Sequence, residues 1–434
     1  MHEQRGLRKT LFREAAIYSV GNFGSRILSF LLVPFYTYYL TKQDIGEYDL
    51  VITAISFIVP LTTLQLSDAV YRWMIEKKEL SQDEKAAILS SSLAGILFGF
   101  LVFVLVFFIY NYFYPLQYAA YFVPLVLCNG LFPYLQNILR GEGKTKKYAV
   151  NGVLNTFLIV ILNIVFVFLI KMEVRGILLA NIIAYVLTSL TIIRDVRLFN
   201  FIRRRFVDRR LLREMCSYTV PLVPNLMSWW VISSASKFII LYYLGVDFNG
   251  LYAVASRFPV LLTVINTVLL LPMQDLILKE SDLSIFNRLF KKFFFAELLL
   301  AIGLAFVSPI MTRVLLGEEF KGVWLYMPFL FAGVAFHAIS GLVGMSYQRS
   351  KNTKKILIST LIGAVISIIV SLLTVERIGL QGISISFFLG YVVVFMVRYL
   401  DTFRGRYDWK VFLSVFLSPL ICLFIVWFWG QILT

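Results

Sequence analysis

Two stretches of the chain, YYLTKQDIGEY at residues 38–48 and YYLGVDFNGLY at residues 242–252, share the pattern Tyr-Tyr-Leu, five residues, Gly, one residue, Tyr. Each closes an apolar run long enough to cross a bilayer, at 14–40 and 215–244. The segments that open these runs also match, because Arg-Glu, three residues, Tyr and a Ser-Val or Thr-Val pair occur in both. The offset of 200 residues at the start and 204 at the end indicates an internal repeat.

Three further matches follow in the same order, at offsets of 206–208 residues. They pair Asp68-x3-Arg72 with Asp275-x3-Lys279, Thr145-Lys146-Lys147 with Thr353-Lys354-Lys355, and Gly176-Ile177-x7-Tyr185-Val186 with Gly382-Ile383-x7-Tyr391-Val392. Each copy holds six apolar runs, an even number, so both copies have the same orientation in a membrane. We therefore expect two parallel six-helix lobes related by an axis along the membrane normal, with the substrate path between them.

The composition excludes a soluble protein of this length. Of the 434 residues, 59% are hydrophobic and 15% are charged, whereas a soluble domain carries about 25% charged residues. Thirteen segments have the length of a membrane span, at 14–40, 48–72, 86–110, 118–139, 149–170, 176–193, 215–244, 250–278, 293–312, 323–347, 356–375, 378–397 and 411–430. The predicted fold class is an all-α polytopic membrane protein. Its predicted parts are an N-terminal lobe (1–193), a basic cytoplasmic linker (194–214), a C-terminal lobe (215–400) and an additional C-terminal transmembrane segment (401–434).

Basic residues are sorted between alternate connecting segments. If the N-terminus lies in the cytoplasm, 32 of the 41 Lys and Arg residues fall in cytoplasmic segments, six fall in outer segments and three fall inside spans. This bias is the positive-inside rule, and it accounts for the net charge of +16 without a nucleic-acid partner. We expect the basic loops to lie against anionic lipid headgroups.

The three basic residues inside spans predict an anionic substrate path. A charge at the centre of a bilayer costs about 2.5–3.5 kcal/mol on insertion scales and by default marks a functional path. Cations suit a phosphate or pyrophosphate group, and polar or aromatic neighbours suit a sugar. Snorkelling to the membrane surface is an alternative for the second and third of these cations. The predicted path residues are Arg26, Lys237, Arg257, Asn22, Asn225 and Trp229.

The first and seventh spans are interrupted at the same depth. At an offset of 200 residues, Gly21 and Gly24 correspond to Pro221 and Pro224. Matched Gly and Pro interruptions in the two halves of a transporter point to its binding or hinge region. We predict that these four residues form a hinge, the alternative being that the glycines are packing residues and the prolines ordinary kinks.

Two acid–base pairs mark the inner ends of the second and eighth spans. Asp68 precedes Arg72 by one helical turn, and Asp275 precedes Lys279 in the same way. Such i,i+4 pairs are expected to form ion pairs along their own helix. They are also predicted to form part of an inner gate.

The chain resembles a known family. Tyr18-Ser19-Val20-Gly21-Asn22, the Tyr-Leu-x5-Gly-x-Tyr pattern after the first span and Ala-Val-Tyr-Arg at 69–72 are together similar to polysaccharide-transport flippases. These belong to the multidrug/oligosaccharidyl-lipid/polysaccharide exporter superfamily, and the resemblance covers nearly the whole of 10–400. It implies two six-helix lobes that form a V and open alternately to each side of the bacterial cytoplasmic membrane.

The resemblance also implies the cargo, which is an undecaprenyl-pyrophosphate-linked oligosaccharide exported for surface polysaccharide biosynthesis. Membrane lipids surround such a flippase, and a polysaccharide polymerase is its expected partner. No cofactor is implied, and coupling to H⁺, to Na⁺ or to the membrane potential stays open. Family members usually have twelve or fourteen spans. The thirteenth segment here, 411–430, is therefore open to two interpretations, a full span or a re-entrant hairpin broken at Pro419.

Three other functions are weighed against this one. A multidrug/cation antiporter of the same fold predicts unpaired acidic residues in the spans, whereas Glu297 is expected to pair with Lys292 or Arg288. A membrane glycosyltransferase or polymerase needs catalytic carboxylates, and the short outer loop 41–47 offers Asp44 and Glu47. An exporter of the peptidoglycan precursor is disfavoured by the absence of a fourteenth predicted span. The scattered cysteines and two histidines predict no metal site.

Overall fold

The computed structural model describes residues 28–76, 80–279, 283–349, 352–405 and 407–433. Within these ranges every regular element is helical and no strand occurs, so the predicted all-α class is confirmed. In chain order the α-helices are α1 (28–39), α2 (Lys42–Thr63), α3 (Leu66–Glu76), α4 (Gln82–Phe113), α5 (Ala119–Gly141), α6 (Thr145–Asn163), α7 (Glu173–Val196), α8 (Arg209–Thr219), α9 (Leu222–Trp230), α10 (Ser236–Tyr243), α11 (Val246–Arg257), α12 (Val260–Lys279), α13 (Leu283–Leu315), α14 (Met327–Arg349), α15 (Thr353–Thr402) and α16 (Trp409–Leu433). Short π-helical segments at Ile164–Leu169 and Val231–Ala235, and 3₁₀ segments at Leu198–Asn200, Arg204–Phe206 and Glu318–Tyr326, complete the list.

The protein is a multi-pass membrane protein. Ten helical segments within the described ranges have the length and composition of a span. Nine of them coincide with one predicted span each, and the tenth, Lys354–Thr402, covers the two predicted at 356–375 and 378–397. This long segment is kinked at Gly379, whose φ of 57° lies in the left-handed region that glycine tolerates at low cost.

The predicted seventh span, 215–244, is the most irregular of the described spans. It is divided among α8, α9, a π-helical segment and α10. The break between α8 and α9 falls at Val220 and Pro221, because proline cannot continue the hydrogen-bonding pattern of a helix. The sequence therefore located a real interruption of this helix at Pro221.

The C-terminal segment is one helix and not a re-entrant hairpin. Helix α16 runs without interruption through Pro419 for 25 residues, about 37 Å at 1.5 Å per residue, which exceeds a hydrocarbon core of about 30 Å. Asp408 caps its start by accepting a hydrogen bond from the backbone N–H of Lys410 at 3.0 Å. The Lys291 ammonium lies 2.6 Å from the Asp408 carboxylate, and this hydrogen bond lowers the pKa of Asp408.

The chain divides into two compact units. Unit 1 contains the described residues up to Leu32 together with Val51–Leu226, and unit 2 contains Val33–Leu50 together with the described residues from Met227 onward. The segment Val33–Leu50, which the sequence assigns to the N-terminal lobe, thus packs within unit 2. Helix α2 begins in unit 2 and ends in unit 1.

The core of unit 1 forms where α3 packs against α4, α5 and α8. Leu66 and Val70 of α3 are buried against Leu89, Ile138 and Met215. The predicted span 48–72 is not continuous, because Leu64 and Gln65 have positive φ angles of 48° and 56° and separate α2 from α3. Fully burying one such aliphatic side chain contributes about 1.5–3 kcal/mol.

The basic linker is a folded part of unit 1 rather than a free connection. Two buried serines of α4 hold it, since Ser90 Oγ donates to the Phe201 carbonyl oxygen at 3.0 Å and Ser91 Oγ accepts from the Asp208 N–H at 2.9 Å. Asp208 in turn caps α8 by accepting from the N–H of Arg210 at 2.8 Å. The arginines of this linker are therefore presented from a fixed backbone.

The core of unit 2 is aromatic. Phe290 and Phe294 of α13 pack against Phe336 of α14 and Phe395 of α15, with ring centroids 5.6–6.4 Å apart in successive pairs. Edge-to-face and tilted aromatic pairs contribute about 0.5–1.5 kcal/mol each beyond the area that they bury. These three helices form the frame that positions the polar side chains described next.

Candidate functional site

Asp49 is the centre of a buried ionic cluster in unit 2. Its side chain is 4% exposed, and the Lys237 ammonium lies 2.8 Å from Oδ2 and donates to Oδ1 at 3.0 Å. The Arg257 guanidinium lies 3.9 Å from Oδ1. Lys237, a predicted path residue, is therefore paired with Asp49, which the sequence analysis did not identify.

The segment before Asp49, predicted as an outer loop at 41–47, is helical from Lys42 onward. Helix α2 begins at Lys42, and Thr41 and Asp44 cap it reciprocally. The N–H of Thr41 donates to Asp44 Oδ2 at 3.0 Å, and the N–H of Asp44 donates to Thr41 Oγ1 at 3.1 Å. Glu47 accepts a hydrogen bond from Gln43 Nε2 at 2.8 Å. Both acidic residues considered for catalysis thus make contacts within the first turns of this helix.

Beside this cluster, the two copies of the repeated motif meet at their glycines. A Cβ built on Gly46 lies 2.2 Å from the Val246 carbonyl oxygen, and a Cβ built on Gly250 lies 2.0 Å from the Lys42 carbonyl oxygen. Lys42 and Val246 are themselves 204 residues apart, as are Gly46 and Gly250. The contact is therefore reciprocal, as it is at an interface about a local twofold axis.

Replacing either glycine of this contact is expected to separate α2 from α11. The Gly46→Ala and Gly250→Ala variants place a methyl group too close to a backbone carbonyl oxygen of the other helix. Overpacking of this kind costs about 1–3 kcal/mol of stability. The measurement is the thermal unfolding of the purified protein in detergent. Gly303→Ala on α13 is the matched control, because nothing lies within 4 Å of its Cβ. Equal melting temperatures for the Gly46→Ala and Gly303→Ala variants would contradict the tight contact.

Arg398 is a buried cation that the sequence analysis placed in a cytoplasmic loop. It lies within α15 and is 2% exposed. Its guanidinium donates to Ser359 Oγ at 2.9 Å, to the Ser340 carbonyl oxygen at 2.9 Å and to Thr360 Oγ1 at 3.0 Å. These acceptors are neutral, and no ion pair of Arg398 occurs among the described residues. The assignment of Arg398 to a cytoplasmic loop was therefore wrong, because its side chain is buried within α15.

One ring of an aromatic group lies beside this cation. The Arg398 guanidinium carbon lies 5.4 Å from the centroid of Trp229, a predicted path residue. His337 lies 4.9 Å from Trp229 and 4.9 Å from Tyr391, and the rings of Trp229 and Tyr391 are stacked at 5.9 Å. A cation beside an indole ring suits an anionic group attached to a sugar.

The other predicted path and hinge residues are divided between described and undescribed parts. Arg26, Asn22, Gly21 and Gly24 lie outside the described residues. Asn225 lies in α9, and its Oδ1 is shielded from solvent without a hydrogen-bond partner among the described residues. Pro224 lies in the first turn of α9. The structure brings Lys237 and Arg257 together at Asp49 and places Trp229 beside Arg398.

The predicted inner-gate pair Asp68 and Arg72 does not form an ion pair within the described structure. Asn137 Nδ2 lies 3.4 Å from Asp68 Oδ1, and the Arg72 guanidinium lies 4.2 Å from the centroid of Tyr218. The expected i,i+4 pairing was wrong because each side chain finds a partner on another helix. Asp275 and Lys279 belong to α12, and their side chains lie outside the described part of the structure.

Glu297 also has a different environment from the one expected. It is 1% exposed within α13, whereas Lys292 and Arg288, its expected partners, are exposed. Its hydrogen-bond donor is Asn266 Nδ2, at 2.7 Å from Oε1. Glu297 is therefore a buried acid that an amide, and not a cation, contacts in the described part of unit 2.

Family comparison agrees with this architecture. Residues 11–274, more than half of the chain, match the family model described as polysaccharide biosynthesis protein. The chain belongs to this family. No curated protein sequence matches it.

Solved structures with a similar fold are membrane transporters. The lipid II flippase MurJ in an inward closed conformation is 17% identical, with a TM-score of 0.71 over 96% of this chain and 98% of that chain. An inward-facing multidrug resistance MATE family transporter of the MOP superfamily is 15% identical, with a TM-score of 0.70 over 87% of this chain and 93% of that one. A mutant MATE transporter from Vibrio cholerae is 14% identical, with a TM-score of 0.59 over 93% and 97%. The fold is therefore that of the MOP superfamily.

Proposed function

We propose that the protein is a flippase that moves an undecaprenyl-pyrophosphate-linked oligosaccharide outward across the bacterial cytoplasmic membrane for surface polysaccharide biosynthesis. The observation that carries this proposal is the combination of a polysaccharide biosynthesis family with a fold similar to a lipid II flippase. The positive-inside distribution of basic residues supports a cytoplasmic N-terminus. A polysaccharide polymerase on the outer side would receive the exported cargo.

In this proposal, cations recognise the anionic headgroup. They differ in how far a nearby carboxylate already neutralises them. Lys237 is neutralised by Asp49, while Arg257 is half exposed and lies farther from the same carboxylate. Arg398 is buried without an ion-pair partner in the described residues. We therefore assign headgroup binding to Arg26, Arg257 and Arg398, with Trp229 and Asn225 contacting sugar.

Transport follows alternating access in this proposal. The two predicted lobes move about the interrupted first and seventh spans, where Gly21, Gly24, Pro221 and Pro224 lie, and the lipid tail stays in the bilayer. Because the inside of the membrane is negative, moving one negative charge outward releases about 2.3 kcal/mol per 100 mV. The membrane potential thus favours export of a pyrophosphate-linked cargo.

A membrane glycosyltransferase or polymerase is disfavoured by the surroundings of its two candidate carboxylates. Asp44 caps α2, and Glu47 bonds with Gln43 on the same helix. A cation antiporter is the second candidate function, and Glu297 is the observation that favours it, because this acid lacks an ion pair in the described residues.

Deleting the gene in its own host distinguishes these functions. If the protein is a flippase, surface polysaccharide is lost and its lipid-linked precursor accumulates on the cytoplasmic leaflet, where an added periplasmic glycosidase cannot reach it. Sensitivity to cationic drugs stays unchanged. Normal surface polysaccharide combined with increased drug sensitivity would contradict the flippase and support the antiporter.

Arg26→Ala is expected to reduce export about ten- to a hundredfold, because a hydrogen bond to a charged group contributes about 1.5–3 kcal/mol. Arg26→Lys keeps the charge and should retain part of the activity, since a lysine cannot make the two parallel bonds of a guanidinium. Export is measured as surface polysaccharide in cells whose only copy is the variant, with membrane abundance as the control. Full export by an abundant Arg26→Ala variant would contradict the cationic path.

A further inference from the structure

In the interior of unit 2, Glu297 and Asn266 each have an oxygen atom without a partner among the described residues. Asn266 of α12 is 4% exposed and Glu297 of α13 is 1% exposed. The Asn266 amide donates to Glu297 Oε1 at 2.7 Å. Glu297 Oε2 and Asn266 Oδ1 are both shielded from solvent, and neither has a hydrogen-bond partner among the described residues. Leaving a buried acceptor unsatisfied costs about 1–3 kcal/mol per group, and more for a charged group.

An ionised carboxylate has no counter-charge at this position among the described residues. Lys291 of the same helix is paired with Asp408 at 2.6 Å, and Arg288 and Lys292 are exposed. On α14, His337 packs between Trp229 and Tyr391. No ion pair joins Glu297 to any basic group in the described ranges. The remaining charged or titratable groups on the elements that pack against α13 are Tyr347 and Arg349 of α14, Lys410 and Cys422 of α16, Glu318, Glu319, Lys321 and Tyr326 of the 3₁₀ segment Glu318–Tyr326, and Asp275 and Lys279 of α12, the last two with side chains outside those ranges.

We propose that Glu297 is a proton-binding site, and that in this conformation it is a neutral carboxylic acid paired with Asn266. A proton on Oε2 turns this atom into a donor, and Asn266 Oδ1 is the acceptor that lacks a donor. One proton therefore satisfies both unpartnered oxygens and removes an uncompensated charge from a medium of low dielectric constant. The two hydrogen bonds then run in opposite directions between one acid and one amide.

The proton is a better occupant than a metal cation. A hard metal ion in a protein takes about six or more oxygen ligands, and the pair supplies two unpartnered oxygens. A proton needs one donor atom and one acceptor atom, which is what the pair offers. Release of this proton requires water or another proton acceptor to reach Oε2, so it is linked to a rearrangement of α12 against α13. In the proposed flippase, on which this last step rests, the linkage would couple proton release to transport.

The proton is detected directly by infrared spectroscopy of the purified protein in lipid nanodiscs at neutral pH. We expect a carboxylic-acid C=O band that shifts in D₂O and is lost in Glu297→Gln. The matched control is Glu214→Gln, which removes an exposed acid 3.5 Å from Arg210 and should leave the band unchanged. Absence of the band in the wild-type protein, or its persistence in Glu297→Gln, would overturn the proposal. This readout is independent of the cargo, so the proposed function can fail while the proton site stands.

A second measurement compares thermal stability. Gln at position 297 is isosteric with the protonated acid and can donate to Asn266 Oδ1, so Glu297→Gln should melt within a few degrees of the wild type at neutral pH. Glu297→Ala should melt lower because it leaves a cavity and an unpaired amide. A rise in the wild-type melting temperature with Na⁺ but not with K⁺, absent in Glu297→Gln, would identify a sodium site and overturn the proton assignment.

Discussion

Asp49→Asn is expected to abolish export and to lower the free energy of unfolding by about 3–5 kcal/mol, because removing one partner of a buried ion pair leaves the other charge uncompensated. The remaining partner is Lys237, whose ammonium lies 2.8 Å from Asp49 Oδ2 with 12% of its side chain exposed. The same interaction joins Val33–Leu50 to the rest of unit 2, so its loss frees the start of α2. The measurements are export in cells and thermal unfolding of the purified protein.

The reason for this effect is tested by a second substitution. Asp49→Asn combined with Lys237→Gln removes both charges and should recover most of the lost stability, since neutral replacement of a whole buried pair is often close to neutral. The exposed pair Glu318–Lys321 is the matched control, with side chains 85% and 35% exposed. Breaking it by Glu318→Gln should cost no more than about 1 kcal/mol. A double variant as unstable as Asp49→Asn would show that the ion pair is not the cause.

Features that depend on neighbouring residues were predictable from the sequence. Nine of the ten helical segments with the length and composition of a span coincide with one predicted span each. Their apolar runs were recognisable because every helix that crosses a membrane must have about the same minimum length. The interruption at Pro221 was also predictable, since it follows from the covalent geometry of proline.

Features that depend on distant residues were not predictable. Lys237 and Asp49 are 188 positions apart, so no periodicity relates them. Asp68 and Arg72 have the spacing of an i,i+4 pair, which is worth only about 0.2–0.5 kcal/mol, and contacts with Asn137 and Tyr218 replace it. Arg398 lies at the end of an apolar run, where a sequence cannot distinguish a loop cation from a buried one. Tertiary packing decides each of these cases.

Arg398→Met is expected to separate export from stability. Methionine fills the space of the arginine stem and removes the buried charge, and such replacements often leave stability unchanged. The hydroxyl groups of Ser359 and Thr360 also donate to the Ile356 carbonyl oxygen, at 2.9 and 2.8 Å, so they keep a partner. Loss of a desolvated charge that faces an anionic cargo costs about 2–5 kcal/mol, and export should fall at least about thirtyfold.

The two readouts together decide what the buried guanidinium does. If Arg398 only held α14 and α15 together, Arg398→Met would lower the melting temperature and export in parallel. If it binds the anionic headgroup, export falls while the melting temperature stays near that of the wild type. Arg398→Lys should then recover part of the export, because it restores the charge without the planar fork. Arg288→Met is the matched control, since it removes an exposed cation of α13. Normal export by Arg398→Met would exclude Arg398 from the path and leave Arg26 and Arg257 as the cations that recognise the cargo.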